Sequence, residues 1–166
     1  MIKHNHSRIR ETETFVIEQL QHAEGGHDWW HIQRVRRNAL HIASREGGNL
    51  LIVELAALLH DIADSKFHNG DEEIGPRRTE EFLSAQKVED TIREAVVHVV
   101  RSVSFKGGHN SPAVRSLELD IVQDADRLDA MGAIGIARTF NYGGFKNRPL
   151  YNPEVPPNVN MSKAEY

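Results

Sequence analysis

The chain has 166 residues, 39% of them hydrophobic, with a formal net charge of −4 and no cysteine. This size suits one domain that closes a single core unaided, and without cysteine there are no disulfides, zinc knuckles, iron–sulfur clusters or thiol nucleophiles, so any metal must be held by imidazole and oxygen. Basic residues are scattered among acidic ones, which argues against a polymeric nucleic-acid partner; no run approaches the roughly 18 apolar residues that span a bilayer, so no membrane partner is expected and the protein is read as soluble and cytoplasmic.

Glycine and proline punctuation divides the chain into helical blocks with almost no period-two alternation, which predicts an all-α fold. The first block runs from about Ser7 to Ala23, with His4 and His6 in a preceding tail, and closes at Gly25-Gly26. Asp28 is placed to cap a helix from Trp29 to Arg45 that Gly47-Gly48 ends. Leu50 to Ala63 is nearly all apolar and reads as the central buried helix. A shorter helix over Asp71 to Ser84 is expected to bend or restart at Pro76. Val88 to Val103 is amphipathic despite its β-branched run, and the segment from Ser104 to Asn110 reads as a loop. Ser111-Pro112 is a start signal for a helix reaching Leu128, and Met131 to Phe140 is read as another. The bundle is assigned to residues 1–145, and a Pro/Asn-rich extended segment to 146–166.

Within these blocks, Val53 to Asp64 ends an apolar stretch with two adjacent metal-competent side chains, His60 and Asp61, and a further acid, Asp64, one turn later. Neighbours on a helix diverge by about 100°, so the doublet approaches one ion from two sides. With His31 and Asp126 it makes a candidate ligand set for a divalent ion. Asp124 and Asp126 are two apart and face different ways, so only one serves such a site. Burying two imidazoles and two carboxylates without a cation would be costly.

An isolated His31 in Trp29-Trp30-His31, then His60-Asp61, then Asp126 in Ala125-Asp126-Arg127-Leu128 resembles the HD-domain superfamily of metal-dependent phosphohydrolases. The blocks from Gly26 to His31, His60 to Asp64, Phe67 to Asp71, Gln123 to Ala130 and Gly132 to Phe140 are similar to the small bacterial HD hydrolases regarded as nucleotide pyrophosphohydrolases. Members of that group usually continue past the proline-rich segment into further helices, whereas this sequence stops at Tyr166.

The resemblance implies an all-helical bundle with the metal between central helices, and His31, His60, Asp61 and Asp126 as its protein ligands. Such a set is richer in oxygen than a structural zinc site and leaves room for water; Mn, Mg, Fe, Ni and Co all remain open. The expected reaction splits (deoxy)nucleoside triphosphates into monophosphate and pyrophosphate, with a small-molecule nucleotide as partner and a homodimer left open. Asp64 is the candidate general base, and Lys66, Arg127 and His68 the candidate phosphate contacts, with Arg34 and Lys106 behind them. Asp124 and Asp129 are expected as hydrogen-bonding supports, and His27 as a group fixing the loop or a ligand. His98 is read as a packed or supporting histidine, and Trp29 and Trp30 as interhelical packing. The alternatives are a 5′-nucleotidase or alarmone hydrolase, a non-catalytic nucleotide-binding regulator and, more remotely, a di-iron oxygenase.

Overall fold

The computed structural model describes residues 2–21, 23, 25–63, 71–103, 114–156 and 158, and among these the regular structure is helical without a strand. In chain order the helices are α1 (Ile2–Gln19), α2 (Trp29–Glu46), α3 (Leu50–Leu59), α4 (Ile74–Ala85), α5 (Asp90–Ser102), α6 (Leu117–Asp129) and α7 (Gly132–Phe145). No described helix is long and apolar enough to cross a membrane.

α3 is apolar all round, and a helix of that kind is stable only when neighbours surround it. It is packed by α1, α2, α5 and α6, and Val53 and Leu55 to Leu59 are buried. The Asn49 side chain accepts from the amides of Leu51 and Ile52 and starts the helix. Its end differs from the sequence reading: residues 60–63 form a turn rather than more helix. The Ala57 carbonyl, which a continued helix would offer to residue 61, accepts from the His60 ring at 2.9 Å. The HD doublet therefore stands on a turn at the end of the most buried helix.

α2 begins where the capping signal placed it, with the Asp28 side chain accepting from the His31 amide at 3.0 Å. It sends Ile32, Val35, Ala39 and Ala43 into the core between α3 and α6. The Val-rich α5 is helical because Val96, Val97, Val99 and Val100 are buried, and packing outweighs the modest propensity penalty of β-branching.

Besides the end of α3, four boundaries depart from the sequence reading. α1 begins at Ile2, so residues 4 and 6 are helical rather than tail. Pro76 occupies the first turn of α4, where its missing amide hydrogen needs no intrahelical partner, so it opens this helix rather than bending it. α6 starts at Leu117 with Ser116 as its cap, and the expected start at Ser111-Pro112, like the loop before it, lies outside the described residues. α7 runs through Gly143-Gly144 to Phe145, five residues beyond its expected end. Trp29 packs against the core, but Trp30 is 66% exposed and contributes to an open groove of about 650 Å³ along α2; interhelical packing holds for the first tryptophan only.

Candidate metal centre

Three of the sequence-predicted ligands converge. Nitrogens of His31 (α2) and His60 (the turn after α3) and an oxygen of Asp126 (α6) all lie within 4.8 Å of one another, an arrangement able to hold a metal ion. His31 Nε2 is 3.5 Å from Asp126 Oδ1, and His60 Nε2 is 3.7 Å from the same oxygen. Asp61 is less tightly gathered, with Oδ2 3.9 Å from His31 Nε2. The imidazoles form the floor and the acids the mouth: side-chain exposure is 1% for His31, 4% for His60, 17% for Asp61 and 27% for Asp126.

Each imidazole is oriented by its other nitrogen. His60 Nδ1 lies 2.9 Å from the Ala57 carbonyl, which only accepts, so Nδ1 carries a proton. His60 Nε2 is buried with no hydrogen-bond partner. His31 Nδ1 donates to Asp129 Oδ2 at 2.8 Å. In both rings the neutral form then presents a lone pair at Nε2, facing a carboxylate oxygen. Three acceptors pointed at one another repel, and a cation among them resolves the repulsion. The residues present fit a divalent ion on this ground.

The titration behaviour follows from the same geometry. Burial lowers the pKa of His31 and outweighs the opposing Asp129 hydrogen bond. Burial also disfavours charge on His60, but the facing Asp126 carboxylate prevails and pushes its pKa up to about 9. Burial likewise works against ionised Asp126, yet His60 brings its pKa down to about 2. Without a metal, a proton on His60 supplies the positive charge that the acids require.

Asp129 lies three residues beyond Asp126, on the same face of α6. Its Oδ1 accepts from Arg34 Nε at 2.6 Å, and its Oδ2 from His31 Nδ1 at 2.8 Å, Arg34 Nη2 at 3.0 Å and Arg138 Nη1 at 3.2 Å. Burial opposes its charge, but the His31 and Arg34 hydrogen bonds hold the carboxyl below the usual carboxylate range. The expected supporting role of Asp129 is what the structure displays. Arg34 is correspondingly engaged, and its guanidinium faces Asp129 rather than standing free for phosphate. Arg138, the further partner of Asp129, carries no signal in the sequence beyond being a basic residue on a helix directly following the Asp-Arg-Leu-Asp block.

Asp124 departs from its expected supporting role, being 64% exposed with Oδ1 3.6 Å from Arg127 Nη1; two residues from Asp126, it lies on the outer face of α6. Arg127 is itself 48% exposed. His98 donates to the Val114 carbonyl at 2.9 Å, in keeping with a packed histidine. The His27 ring meets the His31 ring edge-on with centroids 6.1 Å apart. Asp64, Lys66, His68 and Lys106 lie outside the described residues.

An all-helical bundle whose central helices bring two histidines and an aspartate together at one end defines a metal-binding helical domain of the HD type. Residues 29–131 match the HD domain family, and this chain belongs to that family. It is 38% identical over 151 residues to the uncharacterised protein YpgQ of Bacillus subtilis, a match covering 85% of this chain and 69% of that protein. The crystal structure of YpgQ in complex with ADP superposes with a TM-score of 0.73 at 34% identity, covering 91% of this chain and 73% of the other. An HD-superfamily hydrolase from Bacillus thuringiensis superposes with a TM-score of 0.70 at 44% identity, covering 92% and 73%.

Proposed function

We propose that this protein is a metal-dependent phosphohydrolase that splits (deoxy)nucleoside triphosphates into monophosphate and pyrophosphate. The observation that carries the reading is the pair of oriented Nε2 atoms facing Asp126 Oδ1, in a family that includes hydrolases and a relative crystallised with ADP. His31, His60, Asp61 and Asp126 hold the divalent ion. When bound, that ion supplies Lewis acidity toward a phosphoryl oxygen and a lowered pKa for water.

The chain's own groups do the remainder. Asp64, close behind the doublet, takes the proton from the attacking water. The oxygen of that water bonds to the α-phosphorus, the bond to the bridging oxygen breaks, and pyrophosphate leaves. Lys66, His68 and Arg127 offset phosphate charge, on which phosphoryl transfer depends. Asp129 keeps His31 in the tautomer that leaves Nε2 for the ion.

The test is product chromatography after incubating the protein, with Mn²⁺ and separately with Mg²⁺, against ribo- and deoxynucleotides. Monophosphate plus pyrophosphate is expected. Nucleoside or inorganic phosphate alone would move the reading to a 5′-nucleotidase or related phosphatase. No product with either metal would replace it with a nucleotide-binding regulator. Asp64→Asn is expected to retain metal while losing turnover, and unchanged turnover removes that residue from its role.

A further inference from the structure

We propose that Lys146 and Arg148, folded back onto Tyr142 at the end of α7, form the subsite for the β- and γ-phosphates of the nucleotide. This rests on the reading of the metal centre as nucleotide-hydrolysing, and it concerns residues that neither the sequence pattern nor the ligand set singled out.

The turn after α7 is built to bring the two cations together. Asn147 has φ +52°, the left-handed conformation in which Asn is among the better tolerated side chains. The Arg148 amide donates to the Gly143 carbonyl at 2.8 Å and the Asn147 amide to the Gly144 carbonyl at 3.0 Å. This paired closure satisfies the last helix carbonyls and reverses the chain. Lys146 Nζ then lies 5.6 Å from the centroid of the Tyr142 ring and 5.5 Å from that of Phe145. Arg148 Cζ lies 5.6 Å from the Tyr142 centroid. Both distances to Tyr142 fall within cation–π range, so one ring gathers two positive charges.

Ring contacts join this turn to the metal centre. The Tyr142 ring meets His27 with centroids 6.5 Å apart, and His27 meets the ligand candidate His31 at 6.1 Å. The charge distribution along the chain has the same polarity. From Gly132 to Pro153 there are three basic residues, Arg138, Lys146 and Arg148, and no Asp or Glu, a net +3 in a chain of net −4. Arg138 is engaged by Asp129. A side-chain cluster whose acids attract a cation, linked through His27 and Tyr142 to a turn carrying two cations, matches the charge pattern of a metal–polyphosphate complex. Arg presents a planar fork suited to phosphate oxygens, and Lys a point charge.

Such a subsite favours the triphosphate over shorter phosphates and stabilises the departing pyrophosphate. Lys146→Ala and Arg148→Ala are measured singly and together on metal-loaded protein. Each is expected to raise KM for a nucleoside triphosphate about tenfold, and the pair on the order of a hundredfold, as for lost charged hydrogen bonds. Calorimetric affinity for the nucleoside monophosphate product should stay unchanged, and so should metal affinity. Calorimetric binding of inorganic tripolyphosphate provides a second readout that needs no turnover, and it should weaken in parallel. Should the wild-type protein hydrolyse no nucleotide, the functional reading fails while this binding still reports on the turn. Unaltered tripolyphosphate binding in the double variant would overturn the subsite.

Discussion

The carboxylate of Asp129 accepts the Nδ1 proton of His31 at 2.8 Å while also accepting from Arg34 and Arg138. One acid thus ties α2, α6 and α7 together behind the candidate metal centre. It sets the tautomer of a candidate ligand nitrogen without belonging to the converging group. Asp129→Asn nearly preserves shape but replaces acceptor oxygens by a group that also donates, so His31 loses its preference for a lone pair at Nε2. Metal affinity is expected to fall about 10- to 100-fold, with helix content retained. Titration of Mn²⁺ by calorimetry, with circular dichroism as the folding control, checks it; unchanged affinity would separate Asp129 from the centre.

Metal binding should release protons. With a pKa near 9, His60 is protonated at neutral pH in the metal-free protein, and a ligand nitrogen must be deprotonated. Affinity therefore rises with pH up to about 9. Calorimetry in buffers of different ionisation enthalpy should show a proton released per ion at pH 7.

The same pair gives the metal-free protein a defined stability window. His60 has a raised folded pKa, so its contribution is fully present below about 6.5 and lost as pH rises through about 9. Asp126 has a depressed one, so its contribution is present above about 3.8 and lost as pH falls through about 2. The pair is most stabilising between roughly pH 4 and 6.5. Thermal melts of metal-free protein should lose stability from pH 6.5 to 9, and His60→Gln should flatten that decline.

Two glycines of α7 should respond in opposite directions to alanine. A Cβ at Gly135 would overlap the carbonyl of Ala130, which is backbone and cannot swing away, whereas one at Gly143 would meet nothing within 4 Å. Gly135→Ala is expected to destabilise by roughly 1–3 kcal/mol, as for overpacking, and to weaken metal binding by moving Arg138 off Asp129. Gly143→Ala is expected to stabilise by about 0.5–1 kcal/mol. Denaturant unfolding of both variants tests the pair, and equal losses would show that α7 is not held against Ala130.

Much of this protein was legible from local rules because those rules act within one or two turns of chain. Asp28 as a cap, α3 as the buried helix and the opposed directions of Asp124 and Asp126 all follow from short-range geometry: a side chain reaching the third amide, an apolar circumference, and a two-residue spacing that turns acids apart. The choice of Asp126 over Asp124 comes from the resemblance of Asp126-Arg127-Leu128 to the HD pattern. The metal-competent residue types were equally visible.

What only the tertiary structure decided was convergence. His31 and Asp129 are 98 residues apart, and no periodicity states which carboxylate will meet which ring nitrogen. Arg34 resembled a phosphate contact until α6 brought Asp129 against it. His60 acquired its tautomer by ending α3 at Leu59 and turning its ring onto Ala57. The placing of Lys146 and Arg148 beside Tyr142 depended on a left-handed Asn147 closing a helix that the sequence reading had already ended. Local pattern sets the face a residue presents; the packing of helices remote in sequence determines what that face meets.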